Sequence, residues 1–132
     1  MSRLLLDTTL LISADRDRES LDAVISDDDD VAIAAISLAE LTVGVQLSSG
    51  KRKRDRRAFV DDLLESVPVI PYDLTVAESH ATLLVAVRRQ GRPRGAHDLI
   101  IAATAHATAR EVVSADPAGF EGLPGVGLRT HP

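Results

Sequence analysis

Four acidic residues, Asp7, Glu40, Asp98 and Asp116, each stand where an apolar run gives way to a turn or a helix start. Carboxylates brought within ~5 Å of one another repel by about 3 kcal/mol per pair at an effective dielectric of ~20. A fold tolerates this if one member takes up a proton or if a divalent cation sits among them. The chain has no cysteine, so thiolate metal sites, thiol nucleophiles and disulfides are excluded. Any bound metal must use oxygen or imidazole. Hard oxygen ligands that leave positions for water suit Mg²⁺, with Mn²⁺ as a possible substitute. The chemistry such a site supports is metal-assisted hydrolysis of a phosphodiester, with an activated water as nucleophile.

The elements that must position these acids are legible in the hydrophobic pattern. Leu4-Leu5-Leu6 runs into Asp7, Val31 to Ile36 runs into Ser37-Leu38-Ala39-Glu40, and Glu111 to Ser114 runs into Ala115-Asp116. Short apolar runs bounded by polar turns predict buried strands, and the stretches between them have helical length and period. Val67 to Ile70 reads as a further short strand, at an edge because of Pro68, and Val126 to Arg129 as a fifth. Helices are expected over residues 8–14, 18–26, from Ser37 onward, from the basic block to Glu65, over Leu74 to Gln90 with Gly91 as the stop, and over Asp98 to Ala109. Ser37 and Glu40 have the spacing of a capping box. Leu38, Leu41, Val45 and Leu47 are the expected inward face of that helix, and Phe59, Leu63 and Leu64 of the next. Strands alternating with helices imply an α/β fold with a mainly parallel sheet of four to five strands, whose ligands bind at the carboxyl ends. Three of the acids belong at that edge, and Asp98 joins them from a helix start.

The chain of 132 residues fits one domain, spanning residues 1–132. With 45% hydrophobic and 27% charged residues it reads as globular rather than disordered. No apolar stretch is long enough to span a bilayer and the N-terminus lacks a signal-like pattern, so no membrane association and a cytoplasmic location are expected. A net charge of −5 does not mark a nucleic-acid binder, yet the positive charge is clustered. Residues 51–57 form one basic block, read as a solvated helix face. Arg88, Arg89, Arg92 and Arg94 form another just before Asp98, where they could clamp RNA phosphates. Aromatics are 2% of the chain, which argues against a base-stacking platform.

Every acid also has a purely structural role open to it. Asp7 and Asp98 could cap helices, Glu40 could complete its capping box, and Asp116 could start a turn before Pro117. His97 reads as a flanking residue, and His80, His106 and His131 lack metal-ligand spacing. The Asp27 to Asp30 run lacks the glycine and terminal Glu of a calcium loop, and the segment Gly122 to Gly127 lacks the lysine of a phosphate loop.

Four segments together carry a resemblance: Leu4-Leu5-Leu6-Asp7-Thr8-Thr9; Ile36-Ser37-Leu38-Ala39-Glu40-Leu41 with Gly44; His97-Asp98-Leu99-Ile100-Ile101-Ala102-Ala103-Thr104-Ala105; and Val113-Ser114-Ala115-Asp116 with Phe120. In order and spacing they closely resemble the PIN-domain ribonucleases, in particular VapC-type toxins of toxin–antitoxin pairs. The resemblance implies a three-layer α/β/α fold, Mg²⁺-dependent endoribonuclease activity, homodimerisation and inhibition by a cognate VapB-type antitoxin. It also implies that Asp7, Glu40, Asp98 and Asp116 are the acidic metal-site residues, supported by the hydroxyl of Thr8 or Thr9. Many members carry a further acid just before the Phe, where this chain has Ala118 and Gly119, so a second metal is expected to be weakly held or to depend on bound RNA phosphates.

Two other classes compete. An aspartyl-phosphate enzyme would need a second Asp beside Asp7 or a lysine near the last strand, and the chain's lysines are Lys51 and Lys53 alone. A non-enzymatic binding or regulatory module would use the acids as caps and would gain no stability from added Mg²⁺.

Overall fold

The computed structural model describes residues 1–17, 22–23 and 25–130. Five strands, β1 (Arg3–Leu6), β2 (Asp30–Ala34), β3 (Val69–Ile70), β4 (Glu111–Ser114) and β5 (Leu128–Thr130), form one sheet in the order β3-β2-β1-β4-β5. All four pairings are parallel, as the alternation of strands and helices requires. The helices bounded within the described residues are α1 (Thr8–Arg16), α2 (Ala35–Gln46), α3 (Gly50–Ser66), α4 (Leu74–Gln90) and α5 (Ala96–Ala107), with a 3₁₀ turn at Pro117–Gly119.

Side chains of a strand alternate between its faces, and here each face has its own core. Leu4, Leu6, Ile33 and Val113 pack with Leu10, Leu11, Leu41, Val45, Phe59 and Leu63 from α1, α2 and α3. Leu5, Ala32 and Val112 pack with Val76, Leu83 and Val87 of α4 and with the small buried residues Ala102, Ala103 and Ala105 of α5. The result is the three-layer α/β/α arrangement. Small side chains let α5 lie close on the sheet, and because α5 leads directly into β4, which begins at the amino edge, the helix starts at the carboxyl edge.

Several expectations needed adjustment. Helix α2 begins at Ala35, inside the stretch read as strand, and Ala34 is its N-cap with no side-chain cap bond. Ser37 therefore lies within the first turn and makes no capping box with Glu40; its fully buried hydroxyl bonds elsewhere. Leu47 and Leu64 face solvent rather than the core, because Leu47 lies beyond the end of α2 and Leu64 points away from the sheet. The third strand is two residues rather than four, β5 starts two residues later than expected, and α5 runs from Ala96 rather than Asp98. The expected helix over residues 18–26 falls largely outside the described residues. Helix α4 ends as anticipated, at Gly91 in the left-handed region (φ 66°) that glycine adopts without penalty. Among the described residues no helix is long and apolar enough to cross a membrane.

Candidate active site

Register brings the first acid to its neighbours. Leu6 pairs with Val113 across β1 and β4, so the residues that follow, Asp7 and Ser114, meet where the strands end. The Asp7 amide extends the ladder to the Val113 carbonyl at 3.0 Å. The Asp7 side chain is 1% exposed and caps α1, accepting from the Leu10 amide at 2.9 Å. It also accepts from the Thr9 hydroxyl at 2.9 Å and from the Ser114 hydroxyl at 2.5 Å. Ser114 in turn accepts from the Asp116 amide at 2.9 Å, so one buried hydroxyl ties the first acid to the backbone of the fourth.

The other acids come from three further elements. Glu40 lies on α2 one turn after Ser37, and Thr8 joins them: its hydroxyl donates to Glu40 Oε1 at 3.0 Å and lies 3.1 Å from the Ser37 hydroxyl. Glu40 Oε1 is also 3.6 Å from His97 Nδ1, at the start of α5. Asp98 is in the first turn of α5, where the helix dipole favours its negative charge. Its carboxylate rests between two glycines: a Cβ on Gly95 would lie 3.2 Å from Asp98 Oδ2, and one on Gly119 would clash with it outright. Asp116 precedes the 3₁₀ turn and is exposed.

Electrostatics record how close these groups are. The Asp98 carboxyl is raised above its ordinary value of 3.8 first by burial, then by the charges of Asp7, Asp116 and Glu40, with His97 opposing. Asp7 is also raised, by burial above all, while its bonds to Ser114, Leu10 and Thr9 pull the other way and Asp116 adds a small push upward. All four acids thus share one field. Among the described residues no three acid or histidine side chains stand ready in ligating positions, since Asp7 is turned onto protein donors. The donor set itself, carboxylates and hydroxyls with no sulfur, fits a hard divalent cation, and the mutual repulsion around Asp98 is what such a cation would relieve.

Of the structural alternatives, capping holds for Asp7, while Asp98 and Asp116 make no side-chain cap bond. Ser114 and Ser37 had not been singled out for the site. The signal for Ser114 was its place at the end of β4, level with Asp7; for Ser37 it was helical spacing from Glu40. The arginines divide. Arg88, Arg89 and Arg92 are exposed, whereas Arg94 donates to the carbonyls of Gly119 at 3.3 Å and Glu121 at 2.5 Å. In the basic block, Lys51 pairs with Asp55 on the surface, and Arg56 instead binds the end of α2 through the Gly44 carbonyl and Ser48.

A parallel sheet between two helical layers, with four acids at its carboxyl edge, defines a class of three-layer α/β protein in which ligands are met at the ends of the strands. The chain belongs to the PIN-domain family, whose model matches residues 4–125. It is 32% identical to Ribonuclease VapC5 of Mycobacterium tuberculosis over 84% of this chain and 81% of that protein, and 26% identical to Ribonuclease VapC of Rickettsia bellii over 98% and 96%. Among solved structures, VapBC-5 of M. tuberculosis superposes with a TM-score of 0.82 at 28% identity, over 98% of this chain and 99% of that one. DNA-bound VapBC from Salmonella typhimurium gives 0.85 at 26%, covering both chains in full.

Proposed function

We propose that this chain is the toxin of a VapBC-type toxin–antitoxin pair, a cytoplasmic endoribonuclease that hydrolyses RNA phosphodiester bonds with Mg²⁺ or Mn²⁺. The observation that carries the reading is the convergence of Asp7, Glu40, Asp98 and Asp116 on one sheet edge, with three neighbouring charges raising the Asp98 carboxyl. These four side chains would hold the cation. When bound, it supplies a lowered pKa for water and charge neutralisation at the phosphate. The chain's own part is orientation. Thr8 aligns Glu40, while Thr9 and Ser114 align Asp7. The glycines around Asp98 leave its carboxylate open to the edge.

The direct test is cleavage of total bacterial RNA by purified protein with Mg²⁺ or Mn²⁺, against EDTA, with new 5′ ends mapped. Discrete cuts that require metal support the nuclease. No cuts and no Mg²⁺-dependent rise in melting temperature would leave a binding module whose acids are merely structural.

RNA is expected along the exposed Arg88, Arg89 and Arg92. Changing all three to Gln should weaken RNA binding and reduce the salt slope by about two, from a loss of roughly 0.7 counterion per phosphate contact on a single strand. An unchanged slope in filter binding between low and moderate salt removes these residues from the interface.

The antitoxin partner has a suitable seat in a groove of about 700 Å³, floored by Ile12, Leu41, Phe59 and Val60 and rimmed by Arg16, Lys51, Arg52 and Arg56 together with Asp15, Glu40 and Asp55. An apolar floor with a rim of both charges fits the apolar face of an amphipathic peptide whose flanking residues carry charge. Homodimerisation is assigned to the outward face of α2. There Ile36, Ala39 and Val43 share one side, Tyr72 and Ile100 border the same shallow hollow, and Val43 and Tyr72 are about half exposed. Val43→Glu should convert a dimer to a monomer in sedimentation without lowering the melting temperature of the monomer; an unchanged sedimentation coefficient for a dimeric parent would place the interface elsewhere.

A further inference from the structure

Arg94 precedes the glycine that forms one wall of the Asp98 slot and grips the glycine that forms the other. Its backbone leads into Gly95, and its guanidinium donates to the carbonyls of Gly119 and Glu121. A side chain on either glycine would meet Asp98 Oδ2. The same turn is held a second time, by Gln90 from the end of α4 to the Gly122 carbonyl at 3.2 Å. From this arrangement, which rests on the nuclease reading above, we infer that Arg94 is a positioning residue: it sets the 119–121 backbone as the wall against which the Asp98 carboxylate is aligned.

The alternative employment, a phosphate clamp, requires free donors facing solvent. Arg94 commits one N–H of each terminal nitrogen to a carbonyl, and its Nε is buried without a hydrogen-bond partner among the described residues, so its orientation is set by the turn and fewer of its donors face solvent than those of its neighbours. Burial, then the Arg92 charge, hold its pKa below the ordinary value. Its neighbours Arg88, Arg89 and Arg92 lie open. A guanidinium can grip two carbonyls at once from two separate nitrogens of a rigid planar fork, whereas a lysine ammonium offers its donors from a single point and holds the pair less rigidly. Gly119 is needed here for space and not for backbone freedom, since its φ lies outside the left-handed region. The position that lacks an acid in this chain is thus the one that leaves the Asp98 carboxylate its room.

The experiment compares wild type, Asp98→Asn, Arg94→Met, Arg94→Lys and Gly119→Ala. Each is assayed for kcat and KM on an RNA oligonucleotide that the wild type cuts, and titrated with Mg²⁺ by both rate and melting temperature. Arg94→Met should lower kcat by about tenfold, as loss of a partner behind a ligand does, and raise the Mg²⁺ needed for half-maximal rate and half-maximal thermal shift, with KM for RNA near wild type. Arg94→Lys should recover part of both. Gly119→Ala should reproduce the Mg²⁺ shift with the Arg94 grip intact, which carries the test if Arg94→Met fails to fold. A raised KM with unchanged kcat and Mg²⁺ response would make Arg94 an RNA contact and overturn the inference, as would Mg²⁺ titrations unaltered in all three variants. If wild type and Asp98→Asn cut alike, the nuclease reading fails, and the thermal titrations with Mg²⁺ still decide for or against Arg94. A wild type with neither cleavage nor Mg²⁺ response overturns both.

Discussion

Asp98→Asn is expected to abolish RNA cleavage by about two to three orders of magnitude in kcat, the scale seen when a group facing developing charge is removed. The same change should raise the melting temperature at neutral pH. Burial and the charges of Asp7, Asp116 and Glu40 all disfavour the ionised Asp98, and an amide of the same shape carries no charge to disfavour. The sign with pH follows from linkage. Because the folded pKa lies above 3.8, the folded state holds the proton more tightly than the unfolded chain. The destabilisation is absent below 3.8, grows as pH rises through the interval up to the folded pKa, and is complete above it. The thermal advantage of Asp98→Asn should accordingly be full at pH 7 and vanish in acid, in melting curves without metal. Added Mg²⁺ should reverse the order at neutral pH, since it stabilises the wild type through all four acids and the variant less. A variant less stable than wild type at pH 7 without metal would show that Asp98 is held by favourable contacts and not by a strained field.

Asp7→Ala should be equally inactive and yet unstable. Its carboxylate caps α1 at Leu10 and accepts from Thr9 and Ser114, so truncation leaves a buried amide and the buried Ser114 hydroxyl without that acceptor. Loss of a cap costs about 1 kcal/mol and an orphaned buried donor about 1–3 more. The gain from removing a buried negative charge offsets part of this. The net expectation is about 2 kcal/mol, or roughly 5–10 °C in melting temperature for a domain of this size. Circular dichroism melts of the two variants side by side separate the roles: opposite shifts in stability with the same loss of cleavage. Equal and small shifts in both would mean that the Asp7 bonds to Ser114 and Leu10 contribute little in solution.

Such a contrast would mark Asp7 as both cap and site. Asp7 does the structural work that a lone Asp after a strand suggests, and in doing it turns its carboxylate onto Leu10, Thr9 and Ser114 at the edge where the other acids arrive. Under the proposed nuclease reading, a cation would share that carboxylate with its protein donors. At Asp98 and Asp116 capping and chemistry were rivals, and neither residue makes a cap bond. Arg94 shows the reverse case. From sequence it belonged with Arg88, Arg89 and Arg92 as a basic cluster, and spacing could not distinguish a guanidinium facing solvent from one folded back onto two carbonyls.

What the sequence by itself determined was the alternation of strands and helices, the parallel sheet this implies and the edge to which Asp7, Glu40 and Asp116 belong. Those features follow from the period of apolar residues and from Gly91 as a stop, and period and backbone freedom are local properties of the chain. What only the tertiary structure decided was the partner of each polar group. Ser114 meets Asp7 because β1 and β4 pair in the register Leu6 to Val113, and a slip of one residue would turn it to the other face. Ser37 turns to Thr8 instead of capping its own helix because α2 starts earlier and that hydroxyl is sealed in the core. Asp98 finds its room beside Gly119, 21 positions along the chain, because α5 and the turn after β4 converge there. Hydrogen bonds and close contacts between residues distant in sequence depend on how elements dock, and docking is a property of the whole core.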